Sequence, residues 1–179
     1  FNIKKNDEFG ILEVGMNKKG EIDFLTKLIR PDIGLITNIS YAHIQNFKNL
    51  NQIAEAKGEI INNITPNGTM IINMDDKYYK YFLKKTNQNG LKSITFSTKK
   101  TKADVSFLNQ KKYKNNYLLK IRIKGITKTF KISKELLNYK ENILASLSII
   151  ANYYDPEILK KNLFKGFCIP KSRGSLIKY

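Results

Sequence analysis

Cysteine is almost absent from this sequence. Of 179 residues only Cys168 carries a thiol, which excludes an internal disulfide framework and suits a reducing compartment. Long apolar runs are missing too. None approaches the roughly 18–20 residues that span a bilayer, and no charged-then-apolar leader opens the chain. A cytoplasmic protein with no membrane partner is expected. There is no internal repeat and no low-complexity linker. Acidic residues are few, 15 against 32 Lys and Arg, for a net charge of +17.

Arginine is scarcer still, limited to Arg30, Arg122 and Arg173. A basic surface attracts polyanions, nucleic acid above all. The rings interleaved in Lys77–Lys85 and Lys111–Tyr117 would let bases stack. Yet the lysines are spread along the chain, and Lys, Asn, Ile and Tyr are abundant together, as codon bias in an AT-rich genome would produce. No nucleic-acid partner is expected, and a basic RNA-binding module stays as the alternative from another class.

With 41% hydrophobic residues the chain can build a core. Its length suits one domain, with a piece of another. Strands and helices alternate through the first half. Strands are expected at Ile11–Val14, Ile33–Ile39 and Thr69–Asn73. Helices are expected at Glu21–Ile29, Asn51–Ile64 and Asp76–Lys85. Pro31 ends the first helix, and Pro66-Asn67-Gly68 makes a turn. Ser93–Ser97, Ala103–Leu108, Tyr117–Ile123 and Lys128–Ile132 read as strands, with hairpin turns at Asn115-Asn116 and Gly125. Two helices, Glu141–Tyr154 and Pro156–Lys165, follow. The fold class is α/β: a mainly parallel sheet flanked by helices, with an antiparallel β insert at about 93–132 and a final helical layer.

The run Glu13-Val14-Gly15-Met16-Asn17-Lys18-Lys19-Gly20-Glu21-Ile22 reads as strand, turn and helix. An acid at the end of a buried strand is costly unless a cation or donors satisfy it. In open α/β sheets ligands sit beyond the carboxyl ends of the strands. The Gly15-x-x-x-x-Gly20 spacing resembles a phosphate loop but fails as one, because Glu21 and Ile22 stand where Lys and Ser/Thr are required. His43, four residues past the next strand, and Lys57, on the helix after it, are the other candidates. Glu and neutral His are reasonable ligands for a divalent cation. Each also has a plainer reading: a surface carboxylate paired with a lysine, a satisfied loop histidine, a solvated helix cation. Spacing alone does not choose between them.

Other segments stand in order with these: Arg30-Pro31-Asp32, Thr37-Asn38-Ile39, Ala42-His43, Ile53-Ala54-Glu55-Ala56-Lys57-Gly58-Glu59-Ile60 and Asn73-Met74-Asp75-Asp76. The set resembles the central, ATP-binding domain of the Mur ligase family, closely over about residues 9–76 and more loosely over 136–175. The Gly-Met-Asn and Lys-Gly-Glu-Ile segments resemble the branch that adds D-alanyl-D-alanine to UDP-N-acetylmuramoyl-tripeptide.

The resemblance implies magnesium held by Glu13, His43 and Lys57, with Lys57 carried as a carbamate. It implies that these three residues serve catalysis, that Asn142 meets the adenine end of ATP and that Arg173 reaches its phosphates; Asn38 has a supporting role. It also implies amide bond formation through an acyl phosphate, in peptidoglycan precursor synthesis, by a monomer. Residues 1–168 would be the central domain, truncated at its amino end, and 169–179 a linker toward a C-terminal domain. The family's G-x-x-G-K-[ST] loop is expected upstream of Phe1, so this stretch alone is expected not to ligate. The family's His-Asn pair is replaced by Asn138-Tyr139. The nearest enzyme alternative is another Mur-type or folylpolyglutamate-synthase-like ligase.

Overall fold

Proline and glycine punctuate the chain into its elements, and a computed structural model describes residues 4–40, 47–167 and 169. Helix α1 spans Glu21–Ile29. It starts at Gly20, whose φ of 92° only glycine adopts freely, and ends at Arg30, whose N–H returns to Thr26 O at 2.8 Å just before Pro31. Its buried residues are Ile22 and Thr26, while Leu25 and Leu28 are exposed, Leu28 by 70%. Thr26 sits inside because its hydroxyl donates to Ile22 O at 2.6 Å, so its polar atom is satisfied within the helix.

Strand β1 (Ile33–Ile36) is shorter than expected. Helix α2 (Leu50–Lys57) starts on a reciprocal cap: Gln52 N–H donates to Asn49 Oδ1 at 3.0 Å, and Lys48 N–H donates to Gln52 Oε1 at 2.9 Å. The expected single helix to Ile64 tightens at Gly58 into a 3-10 segment, Gly58–Asn63. The buried residues of this unit serve two clusters, Ile53 and Ala56 toward α1, Ala54, Ile61 and Ile64 toward the sheet. A Cβ at Gly58 would stand 3.3 Å from the Phe82 ring, so glycine lets the next helix approach.

The turn at Thr65–Gly68 is as expected, with Gly68 N–H donating to Thr65 O at 2.9 Å. It leads into β2 (Thr69–Asn73), buried at every position. A Cβ on Gly68 would lie 2.5 Å from Ile64 Cγ2 and 2.7 Å from the Asp32 carbonyl oxygen. Gly68→Ala is therefore expected to cost about 1–3 kcal/mol of stability, read from denaturant unfolding; an unchanged midpoint would contradict the close approach.

Helix α3 (Tyr79–Gln88) begins three residues later than expected, because Asp76 spends its carboxylate on Ile39 and Tyr78 instead of opening the helix. Strands β3 (Lys92–Ser97), β4 (Val105–Tyr113), β5 (Asn116–Ile123) and β6 (Ile126–Ser133) complete one sheet in the order β1-β2-β3-β4-β5-β6. Pairing is parallel from β1 to β4 and antiparallel from β4 to β6. So Ser93–Ser97 belongs to the parallel part, and the antiparallel strands extend the same sheet. Only Phe96 and Ser97, the last residues of β3, pair with the start of β4. Strand β4 therefore runs on past the carboxyl edge of the parallel strands.

Helix α4 (Lys140–Tyr153) matches expectation, but the helix expected at Pro156–Lys165 is a single 3-10 turn, Pro156–Ile158. Its backbone has other partners: Lys161 O accepts Lys131 N–H of β6 at 2.8 Å, and Phe164 packs edge-on against Phe130. Alternation along β2 feeds two faces. Ile71 joins Phe96, Val105, Ile121, Phe130 and α4's Leu144 and Leu147. Met70 and Ile72 join Ile61 and Phe82 on the other side. Among the described residues no helix is long and apolar enough to cross a membrane.

Candidate functional site

The carboxyl ends of β1, β2 and β3 meet in one polar patch, and two adjacent aspartates stitch it together. Asp75 turns toward β3, accepting the Ser97 hydroxyl at 2.5 Å, Thr98 N–H at 2.7 Å and the Thr98 hydroxyl at 2.9 Å. Burial alone would raise its carboxyl, but these bonds and nearby Lys100 hold it below the usual range. Asp76 turns toward β1, accepting Ile39 N–H and Tyr78 N–H, each at 2.7 Å. Asn73 donates to Thr37 O at 2.9 Å.

Lys57 enters this patch from the last turn of α2. Its Nζ donates to the Asn38 carbonyl at 3.0 Å. Burial pushes the Lys57 ammonium below the ordinary lysine value, and the Asp76 carboxylate works partly against that. The amine is thus more readily neutral than a solvated one, which a nucleophilic amine requires.

Glu13 departs from expectation. Residues 8–15 form no strand, Ile11 is 94% exposed and Glu13 itself is exposed. An apolar run becomes a strand only with a ladder partner for its backbone groups, and none pairs with it among the described residues. A buried strand end therefore does not explain this acid. Val14, beside it, packs against a cluster of Met16, Ile22, Phe47, Ile53 and Ala56. Ala56 precedes Lys57, so one small cluster ties the Glu13 segment to the lysine's helix.

Glu59 adds a second tie. It is 7% exposed, and its Oε1 and Oε2 accept Gly20 N–H at 2.9 and 3.1 Å while Oε2 also accepts Asp23 N–H at 3.1 Å. It caps α1 from across the structure, because Gly20 has no side chain to do so. Lys19–Glu55 and Asn63–Asp23 flank it.

Asn142 is exposed in the first turn of α4. The far end of that helix sits at the start of β2, where the Thr69 hydroxyl donates to Asn152 Oδ1 at 2.9 Å. The helix therefore runs against the parallel strands, and its first turn lies toward their carboxyl edge. Beside it Lys140 bonds Gln110 and covers the Phe107 ring. His43 and Arg173 lie outside the described residues, as does Cys168.

Neither spacing nor the resemblance assigns a role to the polar residues of Asn73-Met74-Asp75-Asp76. The signal was present: two acids directly follow a buried strand.

Among the described residues no three His, Cys, Asp or Glu gather as a metal cluster. Magnesium keeps several waters and uses one or two carboxylates with substrate phosphates. Glu13 offers one carboxylate, and a carbamate at Lys57 would offer oxygen donors of the kind magnesium takes, whereas the bare ammonium offers none.

Comparison with known proteins agrees with this architecture. The Mur ligase middle domain matches residues 1–150. A UDP-N-acetylmuramoyl-tripeptide–D-alanyl-D-alanine ligase of Rickettsia prowazekii is 32% identical over 185 residues, covering 98% of this chain and 39% of its own length. The fold is that of MurF from Acinetobacter baumannii, with a TM-score of 0.74, 22% identity, 87% of this chain and 33% of that one. MurF from Thermotoga maritima in complex with ADP gives 0.61 at 22% identity, over 76% of this chain and 31% of that one. The chain thus spans about two fifths of the length of the curated relative. With the middle-domain match running over most of the chain, and the Rickettsia ligase aligned along nearly all of it, this chain belongs to the Mur ligase family.

Proposed function

We propose that the full-length gene product joins D-alanyl-D-alanine to UDP-N-acetylmuramoyl-tripeptide at the cost of ATP, in peptidoglycan precursor synthesis in the cytoplasm. The observation that carries this reading is Lys57, half-buried at the carboxyl edge with its Nζ on the Asn38 carbonyl and its ammonium held below the ordinary value. The relative's name supplies the two substrates, and the ADP in a structure of the same fold supports the nucleotide.

In this reading neutral Lys57 Nζ attacks carbon dioxide. An N–C bond forms, one C=O pair moves to oxygen, and a proton leaves the nitrogen to water. A cation becomes an anion whose oxygens, with Glu13 and His43, suit magnesium. Magnesium, when bound, offsets phosphate charge. Asn142 would meet the adenine and Arg173 the phosphates. The tripeptide carboxylate takes the γ-phosphoryl group as ADP leaves. The dipeptide amine then attacks the acyl carbon, loses a proton, and phosphate departs.

An acceptor panel tests this. ADP release by the full-length product should require D-alanyl-D-alanine. Stimulation instead by a single amino acid such as glutamate or a diamino acid would move the chain to another Mur-type or folylpolyglutamate-synthase-like activity.

A further inference from the structure

Three consecutive residues leaving β1 are each gripped by a side chain from another element. Thr37 O accepts Asn73 Nδ2 at 2.9 Å, Asn38 O accepts Lys57 Nζ at 3.0 Å, and Ile39 N–H donates to Asp76 Oδ2 at 2.7 Å. The outer two grips are themselves fixed. Asn73, 4% exposed, accepts Asp75 N–H on its Oδ1 at 2.9 Å. Asp76 accepts Tyr78 N–H on its other oxygen at 2.7 Å. Each side chain is thus held at both ends, and rotation of either would break two bonds. The peptide carrying the Asn38 carbonyl is clamped on both sides, so the direction of that carbonyl is set by Asn73 and Asp76.

We infer that Asn73 and Asp76 are positioning residues that aim the Asn38 carbonyl at Lys57 and so orient the lysine's head group. The inference rests on the proposed carbamate at Lys57. A carbamate nitrogen keeps one N–H and is planar with its carboxylate, as an amide is. Donating that single hydrogen to a fixed carbonyl sets the plane of the group and turns its oxygens away from Asn38. Without the clamp, the flexible lysine stem spreads over many rotamers. The Asn38 carbonyl, one hydrogen bond removed from the ligand, is the kind of partner that matters to metal affinity, and Asn73 and Asp76 act through it. Neither residue needs to touch substrate.

The test uses the full-length product equilibrated with 13C-bicarbonate. Carbamate is read by 13C NMR, and manganese binding by loss of the free-ion EPR signal. Asp76→Asn keeps the shape but surrenders one acceptor and the negative charge that acts on Lys57. Asn73→Asp keeps the acceptor for Asp75, loses the donor to Thr37 and adds a negative charge, so a loss shared by both variants is not an effect of charge. Each should weaken manganese binding roughly 10-fold, shift or broaden the carbamate resonance, and leave the KM for the dipeptide unchanged. A carbamate signal and a manganese affinity that both stay within about twofold of wild type would overturn the clamp alone. Absence of any carbamate in the wild type would overturn the functional reading of Lys57 and the clamp with it. If neither variant folds, wild-type hydrogen exchange decides: the Ile39 amide should be protected, and free exchange there would also overturn the clamp.

Discussion

Replacing Lys57 with methionine is expected to lower ligation by about a thousandfold, the scale of losing a preorganised charge at a reacting centre. Methionine keeps most of the apolar stem, so the α2 packing around Ile53 and Ala56 survives. What disappears is the nitrogen on the Asn38 carbonyl. Lys57→Arg is the informative companion. A guanidinium keeps the positive charge but cannot serve as the neutral amine that takes up carbon dioxide. If a cation is what the site needs, arginine should restore much of the rate. If an anion made on the amine is needed, arginine should be as poor as methionine, and that is the expected result. Steady-state ADP release by the two variants, with denaturation curves to show both are folded, decides it. Near wild-type turnover in Lys57→Arg would remove the carbamate from the account.

The second large effect is on stability. Glu59→Ala should cost about 2–4 kcal/mol, because it deletes a helix cap and leaves two partly buried N–H donors without an acceptor. The carboxylate bonds Gly20 and Asp23, residues 39 and 36 positions away in sequence. For a chain of this length that corresponds to a fall in melting temperature of roughly 4–16 °C. Glu59→Gln retains one oxygen and should fall between the two. Local loosening should accompany the loss, with faster amide exchange through α1 and the Asn17–Gly20 turn than through β2, which is buried at every position. An Ala variant as stable as wild type would mean that α1 is held by Met16 and Ile22 alone.

The elements most legible in the sequence were those with chemical punctuation at both ends. Helix α1 has Gly20 before it and Arg30-Pro31 after it, and its bounds match expectation. Strand β2 follows the Pro66–Gly68 turn and ends in polar Asn73, and it matches too. The misses have physical reasons. Ile11, Leu12 and Val14 are apolar, but pattern cannot say whether a neighbouring strand stands beside them. The unit from Leu50 to Asn63 stays rich in buried apolar residues across its change from α to 3-10 geometry, so the tightening at Gly58 is invisible in the spacing. The segment after Asp155 has a capped proline start, yet its backbone is claimed by β6. At the site, Lys57 is a candidate by position, but only the resemblance sets its role apart from that of a solvated helix cation. The Asp76–Ile39 bond joins residues 37 positions apart, a pairing no local pattern encodes.

The most direct test of the central claim follows oxygen rather than rate. The tripeptide is prepared with 18O in its terminal carboxylate and turned over by the full-length product with ATP and D-alanyl-D-alanine. The account predicts one labelled oxygen in the released phosphate for each amide formed, because the carboxylate oxygen that accepts the phosphoryl group leaves with it. Phosphate free of label, with amide still formed, would contradict the acyl-phosphate chemistry assigned to this site.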